Sequence, residues 1–283
     1  MKKIKKLVAR NLSLFLENKM NILLSLASIP VILAIYIFFL RNFMFNIVGQ
    51  MLETADVKLF TDRIMFAGLL VVINTTTCFG IIQICINDRE TGIIRDFNIA
   101  PIAKFEISAA YLISSIIVSF TFTIFTYICE EIFFKVWYSD VLPLFCSIKV
   151  ALCIFISSCI NSLIIYCITK KMKSTTTFST FANLYGILMG FLAGTYLPHY
   201  FYPEALKKIL IYFPPAEIVS IMRKILVGNI AGNIEKNENA LYMLGINLKR
   251  NGAYLTVSNQ LSIVIFSAIC MVIYIFFSNA HEK

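Results

Sequence analysis

Asn87-Asp88-Arg89-Glu90-Thr91-Gly92-Ile93-Ile94-Arg95-Asp96-Phe97-Asn98-Ile99-Ala100-Pro101 is a short charged segment set between two long apolar runs, residues 64–86 and 107–134. Apolar runs of about 18 residues or more read as membrane-crossing helices, because a helix satisfies its own backbone hydrogen bonds in lipid. The rest of the chain follows the same pattern. Of its 283 residues, 59% are hydrophobic and 14% charged, where a soluble domain carries about 25% charged residues. The expected fold is all-α and integral to the membrane, as a single domain over residues 1–283.

Six spans are expected, at about residues 22–40, 64–86, 107–134, 142–169, 176–197 and 261–277. Pro30 inside the first is tolerable, since neighbouring helices shield the freed carbonyl. In residues 1–20, Ile4, Leu7, Val8, Leu12, Phe15 and Leu16 share one helical face. Lys2, Lys3, Lys6, Arg10, Asn11 and Glu17 lie mostly on the other, as in an amphipathic helix at the interface. A signal peptide is the rival reading, but the basic region is too long and no small-x-small cleavage site follows Leu40.

Lysine and arginine in short loops set the orientation. With the N-terminus inside, the inner segments carry Lys2, Lys3, Lys5, Lys6, Arg10, Lys19, Arg89, Arg95, Lys104, Lys170, Lys171 and Lys173. The short outer loops then carry only Arg41, Lys58, Arg63 and Lys135. Both termini are therefore expected in the cytoplasm of a multi-pass cell-membrane protein. Residues 198–258 fall outside. Their runs 205–213 and 217–227 are too short to cross and are separated by Pro214-Pro215. They read as two re-entrant helices that dip into the outer leaflet, followed by a solvated loop over residues 228–258.

The net charge of +9 points to anionic lipid headgroups as partners. No arginine strip interleaved with aromatics suggests nucleic acid. The eight cysteines, Cys78, Cys85, Cys129, Cys146, Cys153, Cys159, Cys167 and Cys270, contain no Cys-x-x-Cys pair. They lie in or beside apolar runs, where free cysteine acts as a small hydrophobe, so neither a disulfide framework nor a metal site is expected. The only histidines are His199 and His281, with no His-Glu-x-x-His, which argues against a membrane metalloenzyme and gives no catalytic residue. An ion-driven transporter would carry acids at mid-bilayer, and the span centres have none. A receptor or scaffold remains an alternative.

Some polar positions inside the spans stand out. Asn74 and Thr75 in the second span and Asn161 in the fourth either line a substrate path or hydrogen-bond between helices. Ala182, Gly186, Gly190 and Gly194 recur every four residues and form a smooth face. That face fits either a second copy, a thin pathway wall, or packing within one chain. Glu130 and Glu131 sit near the outer end of the third span, and Lys149 in the outer third of the fourth. A hairpin turning near Tyr138 would pair Lys149 with one glutamate; a coupling-ion site is the sharper rival.

The loop itself, residues 87–105, carries Asp88, Arg89, Glu90, Arg95, Asp96 and Lys104. Mixed charge suits a protein contact better than a lipid surface, although an ordinary solvated loop has the same composition. Gly92 permits a tight turn. Pro101 disfavours helix at Ala100 and should end any helix begun after Gly92.

An inner amphipathic helix, two spans, a charged inner loop and four more spans with a re-entrant pair before the last resemble the ABC-2 type permeases. These are the membrane subunits of ATP-binding cassette exporters. The resemblance covers nearly the whole chain, with Arg89-Glu90-x-Gly92, Ile99-Ala100-Pro101 with Lys104, and Tyr212-Phe213-Pro214-Pro215 as its local pieces. It implies a permease half that pairs with a second copy or a sister permease and exports a drug, antimicrobial peptide or lipid-like cargo. It also implies a separate cytosolic ATPase that holds ATP and Mg. Asp88, Arg89, Glu90, Thr91, Gly92 and Arg95 would form the docking element, with Glu90 the foremost contact. This chain has no Gly-x-x-x-x-Gly-Lys-Ser/Thr stretch with which to hydrolyse ATP itself, so no cofactor is expected on it.

Overall fold

The structure, a computed structural model, describes residues 2–19, 30–31, 33–51, 57–99, 102–197, 199–228, 238–250 and 252–281. In chain order these form α1 (Lys2–Glu17), a π-helical turn (Tyr36–Leu40) running into α2 (Arg41–Met51), α3 (Val57–Glu90), α4 (Ile93–Ile99) and α5 (Lys104–Tyr138). Then come α6 (Leu144–Thr169), α7 (Thr175–Leu192), α8 (Glu204–Leu210), α9 (Pro214–Val227) and α10 (Glu238–Met243). A two-residue antiparallel ladder, β1 (Lys249–Arg250) with β2 (Ala253–Tyr254), precedes α11 (Val257–His281). Apart from that ladder and the turns, the described residues are all-α. Helices α3, α5, α6 and α11 are each long and apolar enough to cross a membrane, which makes the chain a multi-pass membrane protein.

Helix α3 is the axis. Of its most apolar stretch 83% is buried by protein, against 39%, 61% and 11% for α5, α6 and α11. The other three therefore turn one side outward, as Phe125, Ile128 and Ile132 of α5 and Ile265, Phe266 and Ile269 of α11 do. Around α3, Phe66 meets Tyr36, Phe133 and Phe134 edge-on or tilted, with ring centroids 5.1–5.8 Å apart. Gly80 leaves room for Phe15 of α1, whose ring lies 2.8 Å from where a Cβ would stand.

Polar groups on α3 fall in three layers. Asp62 and Asp88, both buried, are about 39 Å apart at 1.5 Å per residue. That exceeds the roughly 30 Å hydrocarbon core, so both acids can sit at its two faces with Asn74 between them near mid-depth. Asn74 Nδ2 donates to Thr123 Oγ1 (3.0 Å) and Ser158 Oγ (2.8 Å). Its Oδ1 accepts from Ser157 Oγ (3.3 Å) and Asn161 Nδ2 (2.9 Å). Asn74 thus bonds α3 to α5 and α6 where lipid offers no partner. Thr75 Oγ1 bonds back to Val71 O at 2.9 Å.

Several expectations change. About half of the first expected crossing, residues 22–29 and 32, lies outside the described residues. Its described part does not turn at Leu40 but continues helically through Met51. The second begins at Val57 rather than 64, so Asp62 and Arg63 are interior residues and not loop residues. Helix α7 stops at Leu192, with Gly194 (φ 69°) closing a turn beyond it. It still runs antiparallel beside α3, from Thr175 at Glu90 to Thr195 against Gly68. Helices α8 and α9 meet at a break before Pro214, which takes the first helical position, where its missing N–H costs nothing. The chain enters and leaves this pair at the Asp62 end: Arg223 bonds to Gly194 O (2.8 Å) and Ile64 O (3.2 Å). Residues 240–248 are packed rather than solvated, with Leu244, Ile246 and Leu248 buried. Arg223 reaches the carbonyls of Leu244 (3.4 Å) and Gly245 (3.3 Å) and holds that segment down.

Because Asn74 makes four side-chain bonds at mid-depth, Asn74→Leu is expected to lower stability by about 1–2 kcal/mol, read as an earlier unfolding midpoint in detergent. Asn161→Leu is expected to cost less, since Asn161 Oδ1 has no acceptor role among the described residues.

Candidate coupling site

Three consecutive charges end α3, and each holds a different helix. Asp88 is 1% exposed and takes a two-pronged bond from Arg10 of α1, at 2.7 and 2.9 Å. Tyr111 of α5 donates its hydroxyl to the same carboxylate. Such charge-assisted bidentate bonds are the strong class. The carboxylate raises the Arg10 guanidinium above its ordinary range. Arg10 also lies over the Phe97 ring of α4, 5.2 Å from its centroid.

Arg89 donates to Thr169 O (2.9 Å) and Met172 O (3.3 Å), where α6 ends. The last carbonyls of a helix lack internal partners and carry its negative dipole end, so a cation there is favoured. Glu90 does the converse. Its Oε2 accepts the Thr175 backbone N–H at 3.0 Å, at the start of α7. Ser174, which precedes α7, makes no side-chain cap bond, so Glu90 supplies the acceptor that this helix start otherwise lacks.

The chain then turns. Thr91 Oγ1 bonds to Asn87 O (2.8 Å), and Gly92 takes φ 83°, a conformation that side chains disfavour. Helix α4 comes next, between Gly92 and Pro101; residues 100–101 are outside the described set. Arg95 and Asp96 are exposed, and Ile99 is 86% exposed. Behind α4 lies a polar cavity of about 100 Å³ bordered by Arg89, Lys104, Tyr111, Tyr166, Lys170 and Asn279. Asn279 of α11 accepts from Lys170 Nζ (2.7 Å) and donates to Ser108 Oγ (3.0 Å), so α1 and the end of α11 share this end of the bundle.

No known protein family, curated protein or solved structure matches the chain.

Asp88, Arg89 and Glu90 are engaged within the chain, while Arg95, Asp96 and Ile99 present the open face of α4. Glu90 is exposed, but its carboxylate serves Thr175. The smooth face of α7 also meets its own chain: Ala182 packs on the core around Phe79 and Phe178, and Gly186 faces Thr76 of α3. Gly190 is covered by Tyr196, and Gly194 lies past the helix. The outward face of α7 is instead Leu184, Ile187 and Phe191.

The expected pairing of Lys149 with Glu130 or Glu131 is not found. Lys149 lies over the Phe145 ring, 4.4 Å from its centroid. Glu131 pairs with Arg63 and accepts the Leu142 N–H (3.2 Å), closing the α5–α6 turn. Arg63, fully buried by α3's surroundings, is the nearer cation and also pairs with Asp140 at 2.9 Å. Glu130 is buried, and its Oε1 has no hydrogen-bond partner among the described residues. Among those residues no group of three His, Cys, Asp or Glu is placed to hold a metal.

Sequence reading missed the second clamp. Asp62 receives the Tyr36 and Tyr138 hydroxyls, the latter at 2.5 Å, and pairs with Arg41 at 2.8 Å. One signal was present: adjacent Asp-Arg pairs, Asp62-Arg63 and Asp88-Arg89, flank the same apolar run.

Asp88→Asn keeps the shape but removes the charge. It is expected to loosen α1 by roughly 2–3 kcal/mol, the scale of hydrogen bonds to a charged group. Hydrogen–deuterium exchange should then quicken in residues 2–17 while residues 57–75 stay protected. Arg10→Lys should loosen α1 partway, because a lysine cannot form the two-pronged bond.

Proposed function

We propose that the protein is the permease subunit of an ATP-binding cassette exporter, driven by a separate ATPase chain that binds ATP and Mg. The observation that carries this reading is the triple tie at the end of α3. A push on α4 reaches α1 and α5 through Asp88, α6 through Arg89 and α7 through Glu90. A solvated connector with no partner needs no such ties. The open face of α4 offers Arg95, Asp96 and Ile99, a mixed charged and apolar surface suited to a protein groove.

Six crossings fit this arrangement. Helices α3, α5, α6 and α11 supply four. Helix α7 with its turn, lying along residues 68–90 of α3, covers about 33 Å at 1.5 Å per residue and supplies a fifth. The sixth is the expected crossing over residues 22–40, part of which lies outside the described residues; α1 is tied at the Asp88 end and Tyr36 at the Asp62 end. Helices α8 and α9 are then the re-entrant pair, and both termini are cytoplasmic. The outward apolar faces of α7 and α11 meet lipid or a second permease, and the cargo is hydrophobic or amphipathic.

A second reading, ion-coupled transport, is favoured by one observation: the buried, unpartnered Glu130 Oε1. It requires transport to depend on the Glu130 proton and not on a partner.

Capture of the tagged chain from its native membrane in mild detergent is expected to bring down a stoichiometric P-loop ATPase. Ile99→Asp with Arg95→Glu should reduce that capture at least about tenfold, and Lys135→Gln at the opposite end should leave it unchanged. An intact, folded chain without an ATPase, together with transport abolished by Glu130→Gln, would move the assignment to ion coupling.

A further inference from the structure

At the end of the bundle opposite the α3–α4 turn, α8 and the β1–β2 hairpin border a half-open cavity of about 490 Å³. That is the size of a small-molecule site. Its wall carries Lys207, Lys208, Lys249 and Arg250, with Glu204 as the single carboxylate and Tyr212 as an aromatic side. Four cations against one carboxylate leave a formal charge of +3.

The one carboxylate is already engaged. Lys207 Nζ donates to Glu204 at 2.9 Å, which holds the carboxyl below and the ammonium above their ordinary ranges. Among the described residues, Lys208, Lys249 and Arg250 form no salt bridge, although the charge of Lys208 acts on Glu204 and that of Arg250 on Glu217. Lys249 lies over the Tyr254 ring at 5.2 Å. Arg250 stacks 4.4 Å from the Tyr212 centroid and donates one N–H to Ile211 O at 3.5 Å. Its Nε is buried and has no acceptor among the described residues.

A planar guanidinium fixed by stacking, with a donor left over and two ammonium groups beside it, is the arrangement that takes tetrahedral oxyanions. The hairpin that presents it is itself anchored, since Leu248 is buried and its carbonyl accepts the Leu255 N–H at 2.9 Å. Tyr212 and Ile211 supply the apolar part of the lining, and Tyr212 is exposed. A basic pocket with a tyrosine side suits an anion.

We propose that this cavity binds a phosphate-bearing anion, with Arg250, Lys249 and Lys208 on the phosphate oxygens. The site does not depend on ATP coupling and stands or falls separately from it.

The test uses full-length protein in nonionic detergent and titration calorimetry with three probes: dioctanoyl phosphatidic acid, dioctanoylglycerol and inorganic phosphate. Saturable binding of the phosphatidic acid is expected, with none of the dioctanoylglycerol. The Lys249→Gln, Arg250→Gln double variant should weaken it at least about tenfold, and Lys135→Gln should not. If inorganic phosphate competes with similar affinity, the ligand is free phosphate; if it fails to compete, a lipid headgroup is the source. Should the double variant melt early, Arg250→Lys keeps the charge and loses the planar fork, and should weaken phosphate binding with the melting midpoint unchanged. Phosphatidic acid binding that is absent, or indifferent to all three substitutions, overturns the proposal.

Discussion

Everything else in this structure depends on α3 being covered on nearly all sides. A helix so enclosed has no water along its length, so each polar group on it must find a partner in a neighbouring helix. Those partners are what bind the bundle together. Apolar contacts alone discriminate poorly in lipid, because the solvent is as apolar as the side chains. Hydrogen bonds from α3 supply the register. Asn74 holds α5 and α6 at mid-depth, and an aspartate holds each end.

The two end clamps share a chemistry. Asp88 is held by an arginine from α1 and a tyrosine from α5; Asp62 is held by Arg41 and two tyrosines, Tyr36 and Tyr138. A tyrosine reaches a carboxylate through an apolar body and a polar tip, which suits the boundary between hydrocarbon and headgroups. The arginine supplies the charge that makes a buried carboxylate tolerable. The ends differ in the residues beside each aspartate. At Asp62 the neighbouring Arg63 pairs with Glu131 and Asp140, both on or beside α5. At Asp88 the next two charges reach the terminal backbone groups of α6 and α7. The chain then turns at Gly92 into a short helix with an open face. One end is an ion network between helices, and the other leads into a short helix with an exposed face.

The two ends also divide the chemistry of the surface. The Asp88 end exposes Arg95, Asp96 and Ile99 of α4. The opposite end offers a cavity in which cations outnumber carboxylates. That excess arises from the hairpin, which brings Lys249 and Arg250 to α8, where Lys207 and Lys208 already lie. These pairs are some forty residues apart in the chain, and no local pattern joins them.

Much was legible in the sequence because the membrane imposes it. Long apolar runs marked α3, α5, α6 and α11, since only a helix satisfies its backbone in lipid. Gly92 and Pro101 bracketed α4 through their own dihedral limits, and Pro214 placed the start of α9. Residue spacing also marked the amphipathic α1. What composition cannot give is the partner of a charge. Lys149 and the glutamates looked matched by depth, yet Arg63 lies closer to Glu131 in space and takes it. Asp88 and Glu90 looked like loop residues because they adjoin a polar stretch, but burial and helix ends claim both. The Asn- and Gly-rich run after residue 237 looked solvated, until Arg223 is seen bonded to its carbonyls. Local sequence determined which segments are helices and where they break. Only the tertiary structure decided which charges meet, because a hydrogen bond between helices depends on rotation and depth, and neither is encoded within the helix that carries the charge.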